Sequence, residues 1–110
     1  MSYFWKAEER ESVAMLPGVR RRLITAGERA MAVRVELDKG ASLPSHSHPH
    51  EQIGFVVSGV LRLNIAGETM LLRAGDGYAV PGDVIHSVEE AMEPSVVVDV
   101  FSPLRREYLS

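Results

Sequence analysis

Glycine and proline interrupt this chain so often that no long element of secondary structure fits between them. Turn-forming residues recur at short intervals, as at Pro17-Gly18, Gly40 and Pro81-Gly82, and the runs between them are brief and rich in Val, Ile and Leu. Regular turn signals around short apolar runs are typical of an all-β sandwich or barrel. The pattern therefore predicts an all-β fold.

Eight strands are predicted between these turns. They cover residues 19–25, 30–37, 53–58, 60–65, 69–73, 77–80, 86–90 and 95–101. The second of them alternates, which predicts that one of its faces is buried. The side chains on that face are Met31, Val33, Val35 and Leu37. Only residues 6–16 have helical character, so a short helical or irregular segment is expected before the barrel.

Two dipeptides, Ser58-Gly59 and Ala66-Gly67, predict hairpin turns, because glycine adopts the positive φ that tight β-turns require. The last predicted strand, residues 95–101, is apolar on both faces, with Asp99 as its single charge. A strand of this kind is typically covered on both sides, so we expect one face to line the barrel and the other to pack on a second sheet or subunit.

Length and composition limit the classes of protein that need to be considered. The 110 residues are expected to form one domain, over positions 1–110, and the net charge of −3 with no extended basic cluster argues against a nucleic-acid partner. No apolar run reaches the ~18 residues of a membrane helix, and no signal-peptide pattern is present, so a cytoplasmic location is expected. Without cysteine, any metal has to be held by histidine, carboxylate or amide groups.

Three of the four histidines lie within five residues, at His46, His48 and His50. His46 and His48 are two positions apart, so on an extended strand both imidazoles point the same way, and Gln52 keeps the same parity. His86 follows a predicted turn far along the chain and reaches the others only from a neighbouring strand. These residues indicate a pocket for one divalent metal, such as Zn, Ni, Fe, Mn or Co, although a polar surface loop has the same local pattern.

The spacing resembles two sequence motifs of the cupin family. The first motif is matched by Gly40, His46, His48, Gln52 and Gly59, and the second by Gly75, Pro81 and His86. The resemblance implies a single-domain cupin, a jelly-roll-type β-barrel in which His46, His48, Gln52 and His86 bind the metal.

The chain departs from the usual cupin pattern at three positions. Gln52 stands where the family has Glu, while Asp83 and Glu90 stand where it has Gly and Asn. Replacing Glu by Gln removes a negative charge from the ligand set, which favours a Lewis-acidic metal that polarises a hydroxyl or carbonyl over oxygen chemistry. His50 has the right parity for a substitute ligand, and its role is left open.

Asp99 lies among valines, which predicts that its carboxyl group is buried. A buried carboxyl group has a raised pKa and suits proton transfer, but it is equally suited to a structural hydrogen bond. Phe101 shares the face of Asp99 and either packs on a bound ligand or belongs to the core.

The segments around Gln52, Asp99 and the C-terminus resemble one group of small cupins, the pectin- and alginate-degradation proteins that linearise unsaturated monouronates. In that group an aspartate and a phenylalanine take part in turnover and an arginine meets the substrate carboxylate. The resemblance implies these roles for Asp99, Phe101 and Arg105, while Arg106 competes with Arg105 for the last of them.

The resemblance thus implies metal-dependent, non-redox ring opening of 4,5-unsaturated uronates as the activity. Two other hypotheses remain open: a small-cupin dioxygenase, and a non-catalytic cupin that binds a sugar or effector. A homodimer is also expected, because the apolar last strand and the apolar segment Tyr3-Phe4-Trp5 require cover.

Overall fold

The computed structural model describes residues 2–109, which form two packed antiparallel β-sheets with very little helix. In chain order the strands are β1 (Val13–Leu16), β2 (Val19–Ala26), β3 (Met31–Leu37), β4 (Leu43–His46), β5 (Glu51–Ser58), β6 (Val60–Ile65), β7 (Glu68–Arg73), β8 (Gly77–Val80), β9 (His86–Ala91) and β10 (Ser95–Ser102). Single turns of 3-10 helix cover Ala7–Glu9 and Arg106–Tyr108. The all-β prediction is confirmed.

The strand order brings distant parts of the sequence together. The six-stranded sheet has the order β1-β2-β3-β10-β5-β8, and the four-stranded sheet has the order β4-β9-β6-β7. The last strand therefore lies between β3 and β5, at the centre of the larger sheet. The alternating face of β3 is buried as expected, and it packs in the core against residues such as Leu61 and Leu63 of the other sheet.

The segment before the barrel was only partly predicted. Instead of a helix over residues 6–16, the chain makes one 3-10 turn and then the strand β1, which pairs with β2. The strand β4 was missed as well, because its four residues include Pro44 and show little apolar alternation. Among the helical segments of residues 2–109, none has the length and apolar character required to cross a membrane.

The two predicted hairpins turn out differently. Ala66 and Gly67 both have positive φ and join β6 to β7 as a tight hairpin. Ser58-Gly59 is not a hairpin, because β5 and β6 belong to different sheets and the chain turns a corner between them. Gly59 has φ +92° and lies so close to Ser95 that no Cβ fits there, which explains why glycine occupies the corner.

The two faces of β10 are buried to different degrees. Val97, Asp99 and Phe101 lie on the inner face and are buried. The valines of the outer face, Val96, Val98 and Val100, are only partly buried. Among residues 2–109, the expectation of cover on both sides is thus met on the inner side alone.

Candidate metal centre

Three of the histidines meet at one end of the four-stranded sheet. His46 ends β4 and His86 begins β9, and the two residues are direct cross-strand partners. His48 lies in the connection that leads into β5, and its ring centroid is 5.0 Å from that of His86. One ring nitrogen from each of the three histidines lies within 4.8 Å of the others, so the trio forms a candidate metal site.

Hydrogen bonds to the backbone fix the tautomer of each ring. Nδ1 of His46 lies 2.9 Å from the carbonyl oxygen of Pro44, Nδ1 of His86 lies 2.9 Å from that of Val84, and Nδ1 of His48 lies 3.1 Å from that of His50. A carbonyl oxygen only accepts, so each Nδ1 carries the proton and donates it. In a neutral ring the lone pair is then on Nε2, as in most histidines that bind metals.

The acceptor atoms of the cluster face one another without donors between them. Nε2 of His86 is buried and has no hydrogen-bond partner within the described part of the chain. Nε2 of His48 lies 3.0 Å from Oε1 of Gln52, although both atoms are acceptors in this tautomer. Burial lowers the pKa of His48 and of His86, which favours their neutral forms. Converging lone pairs of this kind suit a divalent cation, so the donor set fits a metal.

A short turn holds the histidine loop in place. The backbone N–H of Asp83 donates to the carbonyl oxygen of His48 at 2.8 Å. A Cβ at Gly82 would lie 2.5 Å from the carbonyl oxygen of Pro49, so glycine permits this close approach. Asp83 has φ +66°, which explains how it replaces the glycine of the usual motif: aspartate is one of the few other residues that adopt this conformation readily.

Asp99 is buried beside the cluster, as the sequence predicted, with 7% of its surface exposed. Its carboxyl group accepts a hydrogen bond of 2.5 Å from the Tyr78 hydroxyl. Burial raises the pKa of Asp99, while hydrogen bonding to Tyr78 and Gln52 acts in the opposite direction. The oxygen of the Gln52 amide faces His48.

An aromatic and cationic wall completes the site. The Phe101 ring packs edge-on against His48 at 5.7 Å between centroids and against Tyr108 at 5.6 Å. The Arg105 guanidinium lies 4.2 Å from the Tyr108 ring centroid and 5.3 Å from that of Phe101, and its Nε donates to Glu107 at 2.8 Å. Phe101 is therefore a core residue that also supports the site.

The structure distinguishes between residues whose roles the sequence analysis left open. Arg105 lines the cavity and only 15% of its side chain is exposed, whereas Arg106 is exposed outside it. His50 is not part of the histidine trio, although its ring lies 5.4 Å from that of His48. Its Nδ1 is buried without a hydrogen-bond partner in the described residues.

These groups surround one cavity of about 680 Å³, including its open mouth. Its polar lining comprises His46, Gln52, Tyr78, His86, Ser87, Asp99 and Arg105, and the rest of its wall is mainly aliphatic. The cavity lies between the two sheets and receives polar side chains from both of them. It therefore brings histidines, a buried carboxyl group and a guanidinium together at one cavity.

Comparison with known proteins agrees with the resemblance seen in the sequence. The family model of the cupin domain matches residues 33–101. The protein belongs to the cupin family. This cupin is 38% identical over 93 residues to the pectin degradation protein KdgF of Dickeya dadantii (strain 3937), and the match covers 84% of each chain.

Two solved structures are similar to this cupin over almost their whole length. KdgF from Halomonas sp. superposes with a TM-score of 0.90 at 35% identity, covering 97% of this chain and 98% of that one. An RmlC-like cupin from Shewanella frigidimarina NCIMB 400 superposes with a TM-score of 0.91 at 31% identity, covering 98% and 96%.

Sequence reasoning gave no role to several residues of the cavity region, among them Tyr78, Glu107 and Tyr108. Tyr78 was placed on a strand but given no role, because only the register of β8 against β5 places it near Asp99. Glu107 was passed over as part of the C-terminal tail, and its partner Arg105 was noted without it. For Tyr78 the available signal was Gly54, a glycine within a predicted strand, which often marks a close approach of other atoms.

Proposed function

We propose that this cupin opens the ring of 4,5-unsaturated monouronates released by pectin or alginate breakdown, giving the linear keto sugar acid. The proposal rests on one observation: the histidine trio, a buried carboxyl group and a guanidinium converge on a single cavity. The name of the similar protein KdgF, a pectin degradation protein, supports the substrate class.

The metal ligands in this proposal are Nε2 of His46, His48 and His86 together with Oε1 of Gln52. When bound, a divalent metal supplies Lewis acidity that acidifies a coordinated hydroxyl group. Gln52 keeps the ligand set neutral, and hydrogen bonding to its side chain lowers the pKa of Asp99, so one side chain influences both the metal site and the proton-transferring group.

Asp99 carries the proton in the proposed reaction. Ring opening removes a proton from the anomeric hydroxyl and breaks the bond between the anomeric carbon and the ring oxygen, which leaves an aldehyde at the anomeric carbon and an enolate at the former ring oxygen. Protonation of the alkene carbon turns this enolate into a ketone, so the product is an isomer and no redox agent is consumed. The raised pKa of the buried Asp99 suits both acceptance and delivery of a proton.

Arg105 binds the substrate carboxylate in this proposal. Its guanidinium is held by stacking on Tyr108 and by the ion pair between its Nε and Glu107, which fixes its direction before substrate arrives. A guanidinium recognises a carboxylate through two parallel hydrogen bonds, so it orients the sugar as well as binding it.

The first test follows the ultraviolet absorbance of freshly prepared unsaturated galacturonate mixed with metal-loaded protein. We expect loss of absorbance far faster than spontaneous opening. Removal of the metal by a chelator should abolish the acceleration, and Asp99→Asn should lower kcat roughly 100-fold to 10,000-fold, the range typical of general acid–base groups. Metal content of Asp99→Asn, measured by elemental analysis, should match wild type.

Other outcomes would refute the proposed activity or favour a different function. If wild type, chelated protein and a protein-free sample all decay at the same rate, the linearising activity is refuted. Consumption of dissolved oxygen would then favour a small-cupin dioxygenase. Tight reversible binding of a uronate without turnover would instead favour a non-catalytic sugar-binding cupin.

A further inference from the structure

Three residues form a row across neighbouring strands of the larger sheet. Asp99 of β10 is the cross-strand partner of Gly54 in β5, and Gly54 is in turn the partner of Tyr78 in β8. Cross-strand partners point to the same face of a sheet. All three positions therefore face the cavity, and the middle one has no side chain.

The absence of a side chain at position 54 lets the outer two residues meet. The Tyr78 hydroxyl reaches across the strand to Asp99 Oδ1 at 2.5 Å. A Cβ placed at Gly54 would overlap Asp99 Oδ1 and lie 2.5 Å from both the hydroxyl oxygen and the adjacent ring carbon of Tyr78. Gly54 does not need a positive φ, so space alone explains why glycine stands there.

We propose that Tyr78 is a positioning residue for the reaction: it holds the Asp99 carboxyl group in the orientation from which a proton is exchanged with substrate. This inference rests on the proposed function. The hydroxyl donates to Oδ1 and so restricts rotation of the carboxyl group. Without that hydrogen bond, Oδ1 loses the donor that fixes its direction.

The Tyr78 hydroxyl is suited to donate across the working pH range. Burial and the neighbouring Asp99 carboxyl raise the pKa of Tyr78 well above its ordinary value, so its proton stays in place. The hydroxyl is thus a fixed hydrogen-bond donor, and Tyr78 acts on substrate through Asp99.

The test compares wild type with Tyr78→Phe in the metal-loaded protein. We expect kcat for unsaturated galacturonate to fall roughly tenfold or more, the loss of one hydrogen bond to a charged group, with KM and Zn²⁺ affinity unchanged. In the Asp99→Asn background, Tyr78→Phe should cause no further loss. Tyr3→Phe, on an exposed tyrosine, is the matched control.

A second variant should disrupt the same hydrogen bond without removing the phenol group. Gly54→Ala leaves the phenol intact but places a methyl group between Tyr78 and Asp99, so it should lower kcat as Tyr78→Phe does, and the two effects should not add. Gly77→Ala is its control, because the nearest atom to a Cβ there lies 3.4 Å away.

A crystal structure of Tyr78→Phe separates the inference from the proposed function. Rotation of the Asp99 carboxyl group in that crystal supports positioning, even if wild type opens no uronate and the proposed function fails. An unmoved Asp99, a wild-type kcat in Tyr78→Phe, or an equal loss of kcat in the Asp99→Asn background would each overturn the inference.

Discussion

The two faces of the β5–β10 pair depart from the usual pattern of a sheet, in which apolar side chains face inwards and polar ones face water. Beside the core residues Val97 and Phe101, the inner face carries Gln52 and Asp99, both buried. The outer face of β5 carries Ile53, Phe55 and Val57, with 49%, 48% and 46% of their surface exposed. On β10 this apolar surface continues through Val98 and Val100, the cross-strand partners of Phe55 and Ile53.

The two faces differ in what surrounds their side chains. Inside, polar groups satisfy one another, so burial of Asp99 is stabilised by Tyr78 and Gln52. Outside, no partner within the described residues covers the apolar side chains of β5. We propose that a second copy of this chain covers them, in line with the homodimer expected from the sequence.

The largest expected effect comes from adding a negative charge to the inner face. Gln52→Glu places a second buried carboxylate against Asp99, so the metal-free protein should lose about 3 kcal/mol of unfolding free energy at neutral pH. Gln52→Glu combined with Asp99→Asn should recover most of this loss, because an amide again faces a carboxylate. Urea unfolding of the metal-free proteins measures both changes.

The outer face supplies the control for that experiment. Ile53→Glu adds the same carboxylate one position along β5, where the side chain is half-exposed. At protein concentrations low enough that both proteins are monomeric, it should change stability by less than about 1 kcal/mol. Equal losses from the inner and outer substitutions would show that the buried pair of Gln52 and Asp99 has no special sensitivity to charge.

A smaller effect is expected from a charge at the centre of the outer face. Phe55→Lys should weaken dimerisation by about 2 kcal/mol, roughly 30-fold in Kd, and leave metal affinity unchanged. Sedimentation equilibrium measures the dissociation constant. Met70→Lys, at a similarly exposed hydrophobic residue on the four-stranded sheet, is the matched control. A monomeric wild type, or equal weakening by both variants, would contradict the proposed interface.

The smallest expected effect is a pH dependence that comes from the histidines beside the cavity and not from the outer face of β5. Burial lowers the pKa of His48 and His86 from the ordinary value of 6.5. The unfolded chain therefore takes up protons before the folded one, so the metal-free protein should lose stability as pH falls below about 6.5. Thermal unfolding between pH 5 and 8 checks this, and His86→Gln should flatten the profile. An equally steep profile in His86→Gln would argue against this origin.

Much of the fold could be predicted because local sequence determines it. Strands such as β3 alternate clearly, and β6 and β8 have the predicted bounds Val60–Ile65 and Gly77–Val80. The strand β4 could not be predicted in this way, since Leu43 and His46 are extended only through pairing with β9. The corner at Gly59 was mistaken for a hairpin because positive φ indicates a turn but not which sheet the next strand joins.

The candidate site, like the fold, could be predicted where local sequence determines it and could not be predicted where separate strands meet. Local spacing predicted that His46 and His48 act together, and the apolar neighbours of Asp99 predicted its burial correctly. The contact between Tyr78 and Asp99 joins residues from different strands, and it follows from register across three of them. No pattern within a single segment carries that information.

The backbone hydrogen bonds of the histidines have a consequence for how such a protein diversifies. Each ring is oriented by a carbonyl group two residues away, at Pro44, His50 or Val84. The direction of each ring is thus set within a short segment of chain, although Phe101 of the cavity wall also packs on His48. Mutation elsewhere in the walls can reshape the cavity for new substrates while the three histidines keep their orientation.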